Sequence, residues 1–335
     1  MKKINLAKYP TAIQKLRHTS EKTGKDIYIW REDQAGFLES GNKVRKLEFL
    51  LADALEKGCD WIITCGGPQS NHTRATTIAA RHMGLGISVC LPNAKGLDLS
   101  KPTTGNLWLN QVFGAHLVWV DPEILKQNGL DFSEAMQAEA EAQKRNGKKP
   151  YIIPLGGSNP VGCLGYMNAV TEMLQTWKDV VPGSTAPDSI FCAIGTAGTF
   201  VGIQLGLEKE KQENVKLFGV NVLGPKELTE NFLNRLTIQA ASHFGMNLPR
   251  KNAQMIDHYW GQGYALATDE DLRFYIELAR SEGILLDPCY TGKAFQAMIS
   301  EIKKNAVQFG QKILFVHTGG GFGNFAYSEQ FQKVL

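Results

Sequence analysis

The chain has 335 residues, with 36 lysines and arginines, 33 acidic residues and a formal net charge of +3 at pH 7. Its length suggests one large domain or two of ordinary size, and the mixed charges give no argument for a nucleic-acid partner or an anionic membrane. The sequence has no apolar run of about 18 residues and no signal-peptide core near its N-terminus, so we expect neither a membrane span nor a secretory leader.

The six cysteines form no C-x-x-C pair, and most of them lie inside apolar runs. This pattern favours buried free thiols over disulfides or a zinc site, because reducing compartments keep thiols unpaired. We therefore expect a cytoplasmic protein without a metal centre.

The first informative element is the stretch "SGNKVRKLEFLLADAL", residues 40–55, whose apolar positions recur at the spacing of an amphipathic helix. Lys43, Arg45 and Lys46 crowd its first turn, although the positive end of the helix dipole disfavours cations there. By default such a pattern indicates an exposed basic helix start. A ligand would also account for it, either as an anion held at this end or as a carbonyl cofactor to which one lysine is bonded as an imine.

Short apolar runs alternate with helical stretches along the rest of the chain. A helix is predicted from Ser70 to His82, ending before Gly84, and another begins at Thr268 and ends near Gly283. The polar region 121–150 predicts a surface helix with loops and a solvated charged face. The apolar runs predict buried strands at 60–67, 86–92, 115–120, 151–157, 189–195, 216–222 and 312–320.

This alternation predicts an α/β fold with parallel sheets covered by helices, in which ligands bind at the carboxyl ends of strands. Glycine and hydroxyl residues cluster at four such ends, in the loops 65–73, 155–162, 194–202 and 317–324. Glycines let backbone N–H groups approach a ligand, although such loops are also common scaffolding.

The loop "GTAGT" is the best candidate for a phosphate cradle, because an apolar run precedes it and a predicted helix follows. No G-x-G-x-x-G fingerprint and no P-loop occurs, which disfavours a NAD-dependent Rossmann enzyme. Ser70 and Asn71 have a simpler interpretation as helix-capping residues. His72 and His317 lie in these loops, and the other five histidines have no such context.

Five segments together resemble one family of pyridoxal-phosphate enzymes, the one that includes D-cysteine desulfhydrase and 1-aminocyclopropane-1-carboxylate (ACC) deaminase. They are "SGNKVRKLEFLLADALEKGCD", "CGGPQSNHTRATTIAARHMGLG", "GTAGTFVG", "DPCYTGKA" and "HTGGGFG". The resemblance runs from about Tyr9 to Tyr327. It implies fold type II, that of the tryptophan synthase β subunit, with a smaller domain at 46–158 and a larger cofactor-binding domain at 1–45 plus 159–335. It also implies a pyridoxal 5'-phosphate cofactor, a small amino-acid substrate and a homodimer.

The resemblance also assigns roles to single residues. It makes Lys43 the lysine that binds the cofactor aldehyde as an imine, with Lys46 near the phosphate. Asn71 corresponds to the donor to the cofactor's phenolic oxygen. Ser70 corresponds to a serine that faces the substrate, and the amides around Gln69, Ser70 and Asn71 would hold the substrate carboxylate. The phosphate loop corresponds to Gly195, Thr196, Ala197, Gly198 and Thr199.

Tyr264 and Tyr290 correspond to two active-site tyrosines, and Thr318 to the hydroxyl partner of the pyridine nitrogen. Each tyrosine has a simpler interpretation as a buried aromatic residue. Thr291 and Thr318 discriminate within the family, since ACC deaminases typically carry glutamate and leucine there. Lys43, Ser70, Tyr264 and Tyr290 are the predicted catalytic residues. Whether Lys43, Ser70 or a tyrosine removes the Cα proton stays open.

The resemblance is therefore closer to D-cysteine desulfhydrase. A hydroxyl beside the pyridine nitrogen makes the ring a weaker electron sink, which suffices for a good leaving group on Cβ. We predict conversion of D-cysteine to pyruvate, hydrogen sulfide and ammonia. The alternatives are ACC deamination, elimination from another β-substituted amino acid such as L-cysteate or a chlorinated alanine, and a non-catalytic pyridoxal-phosphate-binding protein.

Overall fold

The structure is a computed structural model that describes residues 2–93 and 102–335. All seven predicted strands occur, several of them shorter than predicted, and three further strands lie at 13–15, 26–30 and 253–256. The strands are Ile13–Lys15 (β1), Asp26–Trp30 (β2), Trp61–Cys65 (β3), Gly86–Pro92 (β4), His116–Val120 (β5), Pro150–Ile152 (β6), Ser189–Ile194 (β7), Lys216–Asn221 (β8), Ala253–Ile256 (β9) and Lys312–Val316 (β10).

These strands form two sheets that are almost entirely parallel. The larger sheet has the order β1-β2-β10-β7-β8-β9, and only β1 pairs antiparallel, with β2. In its centre Ile190 of β7 pairs with Leu314 of β10 on one side and with Leu217 of β8 on the other. The smaller sheet has the order β5-β4-β3-β6 with parallel pairing throughout. The predicted fold class is therefore confirmed.

Helices connect the strands and cover both sheets. Those described are Arg17–Thr23 (α1), Lys43–Glu56 (α2), Asn71–His82 (α3), Gly105–Val112 (α4), Pro122–Gln127 (α5), Ser133–Arg145 (α6), Pro160–Val180 (α7), Gly198–Lys209 (α8), Lys226–Phe244 (α9), Asp269–Glu282 (α10), Thr291–Lys304 (α11) and Ser328–Gln332 (α12). The predicted ends of α3 and α10 are confirmed: Ser70 and Thr268 cap their N-termini, and Gly283 ends α10 in the left-handed conformation. None of the described helices is both long and apolar enough to span a membrane.

Three expectations from the sequence need correction. The predicted strands at 151–157 and 312–320 end at Ile152 and Val316, where glycines with positive φ follow within a few residues and turn the chain. The run at 115–120 is not buried on both faces, because β5 lies at an edge of the smaller sheet. The region 121–150 contains two helices, α5 and α6, rather than one.

The larger sheet has an apolar core on each face. One core contains Trp30 and Phe200 and packs under α7 and α8, and the other contains Phe191, Phe218 and Phe295 and packs under α11. The strands of the smaller sheet all lie between residues 61 and 152. The domain boundaries themselves stay a prediction, and the proposed boundary at residue 46 falls inside the continuous helix α2.

Candidate active site

The cations in the first turn of α2 are not an exposed basic helix start, because Arg45 and Lys46 are only 4% and 1% exposed. The Nε and Nη2 atoms of Arg45 donate to the carboxylate of Glu32 at 2.6 and 2.8 Å, and Nη2 also donates to Glu172 at 2.7 Å. The hydroxyl of Tyr166 donates to the same buried Glu32 carboxylate at 2.7 Å. Two acids thus neutralise Arg45, and only the lysines remain to meet a ligand.

Lys43 and Lys46 pair with no carboxylate in the described part of the chain. The Nζ of Lys46 donates to the carbonyl oxygen of Gly156 at 3.0 Å. Burial, together with the neighbouring Lys46, lowers the pKa of Lys43 well below its ordinary value, and burial lowers the pKa of Lys46 to about 8. A lowered pKa gives Lys43 a larger share of neutral amine than an ordinary lysine has at the same pH, and the neutral amine is the form that attacks a carbonyl carbon.

A cavity of about 330 Å³ lies in front of Lys43. All four predicted glycine-rich loops contribute to its wall, since the carboxyl ends of parallel strands meet there. Three lysines, Lys43, Lys46 and Lys126, line it, whereas no aspartate or glutamate lines it within residues 2–93 and 102–335. This charge distribution suits an anionic ligand.

The loop at 195–199 has the form of a phosphate cradle. It leads into α8, whose first turn leaves backbone N–H groups free for an anion. The hydroxyls of Thr196 and Ser158 lie 2.7 Å apart beside it. A Cβ atom at Gly198 would lie 2.5 Å from both Lys46 Nζ and Ser158 Oγ, so only glycine leaves this space open. Backbone N–H groups, two hydroxyls and the amine of Lys46 thus surround one space. These are the kinds of donor that the phosphate of pyridoxal phosphate requires.

Ser70 and Asn71 lie on the cavity wall at the start of α3. The Ser70 hydroxyl also caps the helix, accepting from the backbone N–H groups of His72 and Thr73 at 3.2 and 3.4 Å, so its capping role holds as well. The Oδ1 of Asn71 accepts from Asn106 at 2.9 Å, which leaves the Nδ2 group of Asn71 as a donor.

Gln69 does not line the cavity. Its side chain donates to the carbonyl oxygen of Thr104 at 3.0 Å and accepts from the backbone N–H of Asn106 at 2.9 Å. The side chain of Gln69 therefore ties the start of α4 to the start of α3, and only its backbone is left for the predicted contact with substrate.

Tyr264 and Tyr290 meet at the cavity, although one belongs to the connection after β9 and the other precedes α11. Their hydroxyl oxygens lie 2.5 Å apart, and their rings pack edge to face with centroids 5.7 Å apart. Burial raises the pKa of both phenols, so both stay protonated. In such a pair one hydroxyl donates to the other, and the second keeps its own proton for a ligand.

The two predicted specificity residues have different positions. Thr318 lines the cavity, and its carbonyl oxygen accepts from the backbone N–H of Asn42 at 3.0 Å. Thr291 is fully buried and lies outside the cavity wall. Its hydroxyl donates to the carboxylate of Asp287 at 2.6 Å, and its backbone N–H donates to the same group at 2.9 Å.

One side of the cavity was not predicted from the sequence. Leu125, Lys126, Leu130 and Phe132 line it, in the region that was predicted to present a solvated face. Leu125 and Phe132 are buried, and they pack in the core beneath the smaller sheet. Single apolar residues among charges were the available signal, but their spacing matches neither a helix nor a strand.

His72 is a further residue on the cavity wall to which no role was assigned. Its Nε2 lies 2.8 Å from the hydroxyl of Thr64, which itself donates to the carbonyl oxygen of Ile153, so His72 Nε2–H is the donor. Burial, Lys43 and Lys46 lower the pKa of His72 well below its ordinary value. The imidazole is therefore neutral and adds no positive charge beside Lys43 and Lys46.

Comparison with known proteins agrees with this geometry. The family described as "Pyridoxal-phosphate dependent enzyme" matches residues 4–319. A putative ACC deaminase of Thermotoga maritima is 38% identical over 330 residues, covering 98% of this chain and 99% of that protein. The mitochondrial bifunctional D-cysteine desulfhydrase/ACC deaminase of Arabidopsis thaliana is 36% identical, covering 99% of this chain and 81% of that protein.

Among solved structures, the crystal structure of an ACC deaminase homologue superposes with a TM-score of 0.86 at 35% identity, covering 100% of this chain and 97% of the other. The match confirms the predicted fold type II, with its two parallel-sheet regions flanked by helices. With lysines beside a phosphate cradle and relatives that share nearly its whole length, the chain belongs to the pyridoxal-phosphate dependent enzymes, in the group of ACC deaminase and D-cysteine desulfhydrase.

Proposed function

We propose that this enzyme eliminates hydrogen sulfide from D-cysteine, so that D-cysteine and water yield pyruvate, hydrogen sulfide and ammonia. The observation that carries the proposal is the charge of the cavity wall, on which lysines and hydroxyls lie but no carboxylate does in the described part of the chain. The relative from Arabidopsis thaliana, which carries the name of a bifunctional D-cysteine desulfhydrase/ACC deaminase, supports sulfide elimination and keeps ACC deamination as a second candidate.

The wall chemistry favours a substrate with a good leaving group. Bound pyridoxal phosphate draws electrons away from the substrate's Cα, most strongly when a neighbouring acid keeps its ring nitrogen protonated. Thr318 offers a hydroxyl at the cavity instead of an acid. A pyridine ring that is a weaker electron sink suffices for loss of hydrosulfide from Cβ, whereas opening a cyclopropane ring needs a protonated ring, which is a stronger electron sink.

Lys43 and Lys46 would hold the cofactor, Lys43 through a covalent bond at Nζ and Lys46 through its charge beside the cradle at 195–199. The lowered pKa of Lys43 leaves the lone pair of Nζ free. Once the substrate amine has replaced it, the same atom is an amine with a free lone pair beside the substrate, and we assign to it the removal of the Cα proton.

The substrate carboxylate would bind at the N-terminal end of α3, near Gln69, Ser70 and Asn71. Free backbone N–H groups and the helix dipole favour an anion there. The hydroxyl pair of Tyr264 and Tyr290 also lines the cavity and would hold a proton that the departing sulfur takes up. Both phenols have raised pKa values, so each stays protonated at neutral pH and is available as a hydrogen-bond donor to the departing sulfur.

The proposal is tested with purified holoenzyme and five substrates: D-cysteine, L-cysteine, L-cysteate, β-chloro-D-alanine and ACC. Hydrogen sulfide and pyruvate are measured for the cysteines, and the keto acid is measured for the others. We expect the highest kcat/KM with D-cysteine and equal amounts of pyruvate and sulfide. Turnover of ACC with none of D-cysteine would overturn the proposal.

ACC deamination is the second candidate, because the relative from Thermotoga maritima carries that name at 38% identity. The same panel separates the two, since ACC releases 2-oxobutyrate and no sulfide. A cytoplasmic location and a homodimer are parts of the proposal that rest on the sequence alone. Gel filtration with light scattering tests the dimer.

A further inference from the structure

Lys293 is a buried lysine that the reaction proposed above does not use. It lies on α11, three residues after Tyr290, and is 4% exposed. Its Nζ donates to the carbonyl oxygens of Trp260 and Gly263 at 2.8 and 2.7 Å. Within the described ranges no carboxylate pairs with Lys293. Both of its acceptors belong to the backbone of the β9–α10 connection, residues 257–268, and this connection carries Tyr264.

The backbone of the β9–α10 connection has an unfavourable conformation, so contacts from outside the connection are needed to stabilise it. Its φ angles are positive at His258, Gly261, Gly263 and Ala265, and the alanine and histidine adopt this conformation at a cost. The carbonyl oxygen of Ala265 accepts from the hydroxyl of Tyr327 at 2.8 Å. Hydrogen bonds from outside the connection thus fix the carbonyls on both sides of Tyr264.

The placement of Lys293 links the two tyrosines. The start of α11 presents Tyr290 to the cavity, and one turn later the same helix holds the connection that presents Tyr264. The side chain of Lys293 does not line the cavity, so its only link to the two hydroxyls, which lie 2.5 Å apart, runs through α11 and the connection.

We propose that Lys293 is a positioning residue that sets Tyr264 against Tyr290 for proton transfer. The inference rests on the proposed catalytic role of the tyrosine pair. A lysine that only stabilised the fold would lower the free energy of unfolding without acting through Tyr264, and this difference makes the proposal testable.

The test compares Lys293→Met, Tyr264→Phe and the double variant, using the best substrate of the panel. Methionine keeps the length and apolar stem of lysine but donates no hydrogen bond. Lys303→Met is the matched control, because Lys303 is exposed on the same helix. We expect Lys293→Met to lower kcat at least tenfold with KM changed less than threefold, and the double variant to match Tyr264→Phe, since residues that act as a unit are not additive.

A second measurement does not depend on activity. Hydrogen exchange of the cofactor-free protein should speed up in residues 257–268 of Lys293→Met and remain as in the wild type elsewhere. Multiplicative losses in the double variant, or an Lys293→Met enzyme with wild-type kcat and exchange, would overturn the proposal. If no substrate of the panel is turned over, the proposed function fails, and the exchange measurement still decides whether Lys293 holds the connection.

Discussion

The Nε atom of Arg45 lies 2.6 Å from the Oε2 atom of Glu32, in a pair closed off from solvent two residues after Lys43, the catalytic lysine candidate. The pair compensates the charge of Arg45, the middle cation in "NKVRK", and fixes the first turn of α2. Lys43 therefore points at the cavity from a helix end that cannot shift without breaking a buried ion pair.

Glu32→Gln is expected to lower the free energy of unfolding by about 3 kcal/mol, because it leaves the buried Arg45 without its main counter-charge. Urea denaturation of the cofactor-free protein measures the change. Glu141→Gln is the control, since Glu141 lies in an exposed pair with Lys144 and its loss should leave the free energy of unfolding almost unchanged. Equal losses in the two variants would show that the buried pair does not hold α2.

Gly198→Ala is expected to weaken pyridoxal phosphate binding at least tenfold. The added methyl group would lie 2.5 Å from Lys46 Nζ and Ser158 Oγ and would fill the cradle. Absorbance titration of the cofactor-free protein measures the affinity. Gly321→Ala has open space around the new methyl group and is the matched control. Unchanged binding by Gly198→Ala would place the phosphate elsewhere.

The rate of cofactor capture should stop rising with pH at a lower pH than the rate of an ordinary lysine does. Lys43 has its pKa lowered by burial and by Lys46, so its amine is already neutral where an ordinary lysine is protonated. A free lysine analogue, with a pKa of about 10.4, should react about tenfold faster for each pH unit until that value. Stopped-flow absorbance on both reactants tests this. A protein rate that climbs in parallel with the analogue would contradict the lowered pKa.

Thr318→Leu should reduce kcat for D-cysteine by about tenfold or more, since it removes the hydroxyl from the cavity wall. Thr291→Glu should instead lower the midpoint of urea denaturation, because it places a second acid against the buried Asp287. Steady-state kinetics and denaturation of both single variants separate these effects. A Thr291→Glu protein of wild-type stability with a changed substrate preference would contradict this structural role and support the prediction that Thr291 is a specificity residue.

The local chemistry of the site could be predicted from the sequence. Glycine and hydroxyl residues at the ends of apolar runs indicated four ligand loops, and all four line the cavity, because parallel strands bring their carboxyl ends together. A local pattern also indicated Lys43 as a site residue. Three cations at a helix start are unfavourable unless another group compensates them.

The long-range partners could not be predicted. Arg45 is neutralised by Glu32 and Glu172, and no sequence spacing indicates an ion pair across 127 residues. The wall formed by Leu125 and Phe132 was missed because two apolar side chains among charges carry no periodicity. The tertiary fold, and not the neighbouring sequence, determines whether such side chains are buried.

Reduction of the holoenzyme with borohydride, followed by mass mapping of its peptides, tests the covalent role of Lys43 most directly. Reduction converts a C=N bond between lysine and cofactor into a stable amine. The pyridoxyl group should be found on the peptide that contains Lys43 and on no other. A label on Lys46 or another lysine, or a coloured holoenzyme whose peptides carry no label, would contradict the assignment.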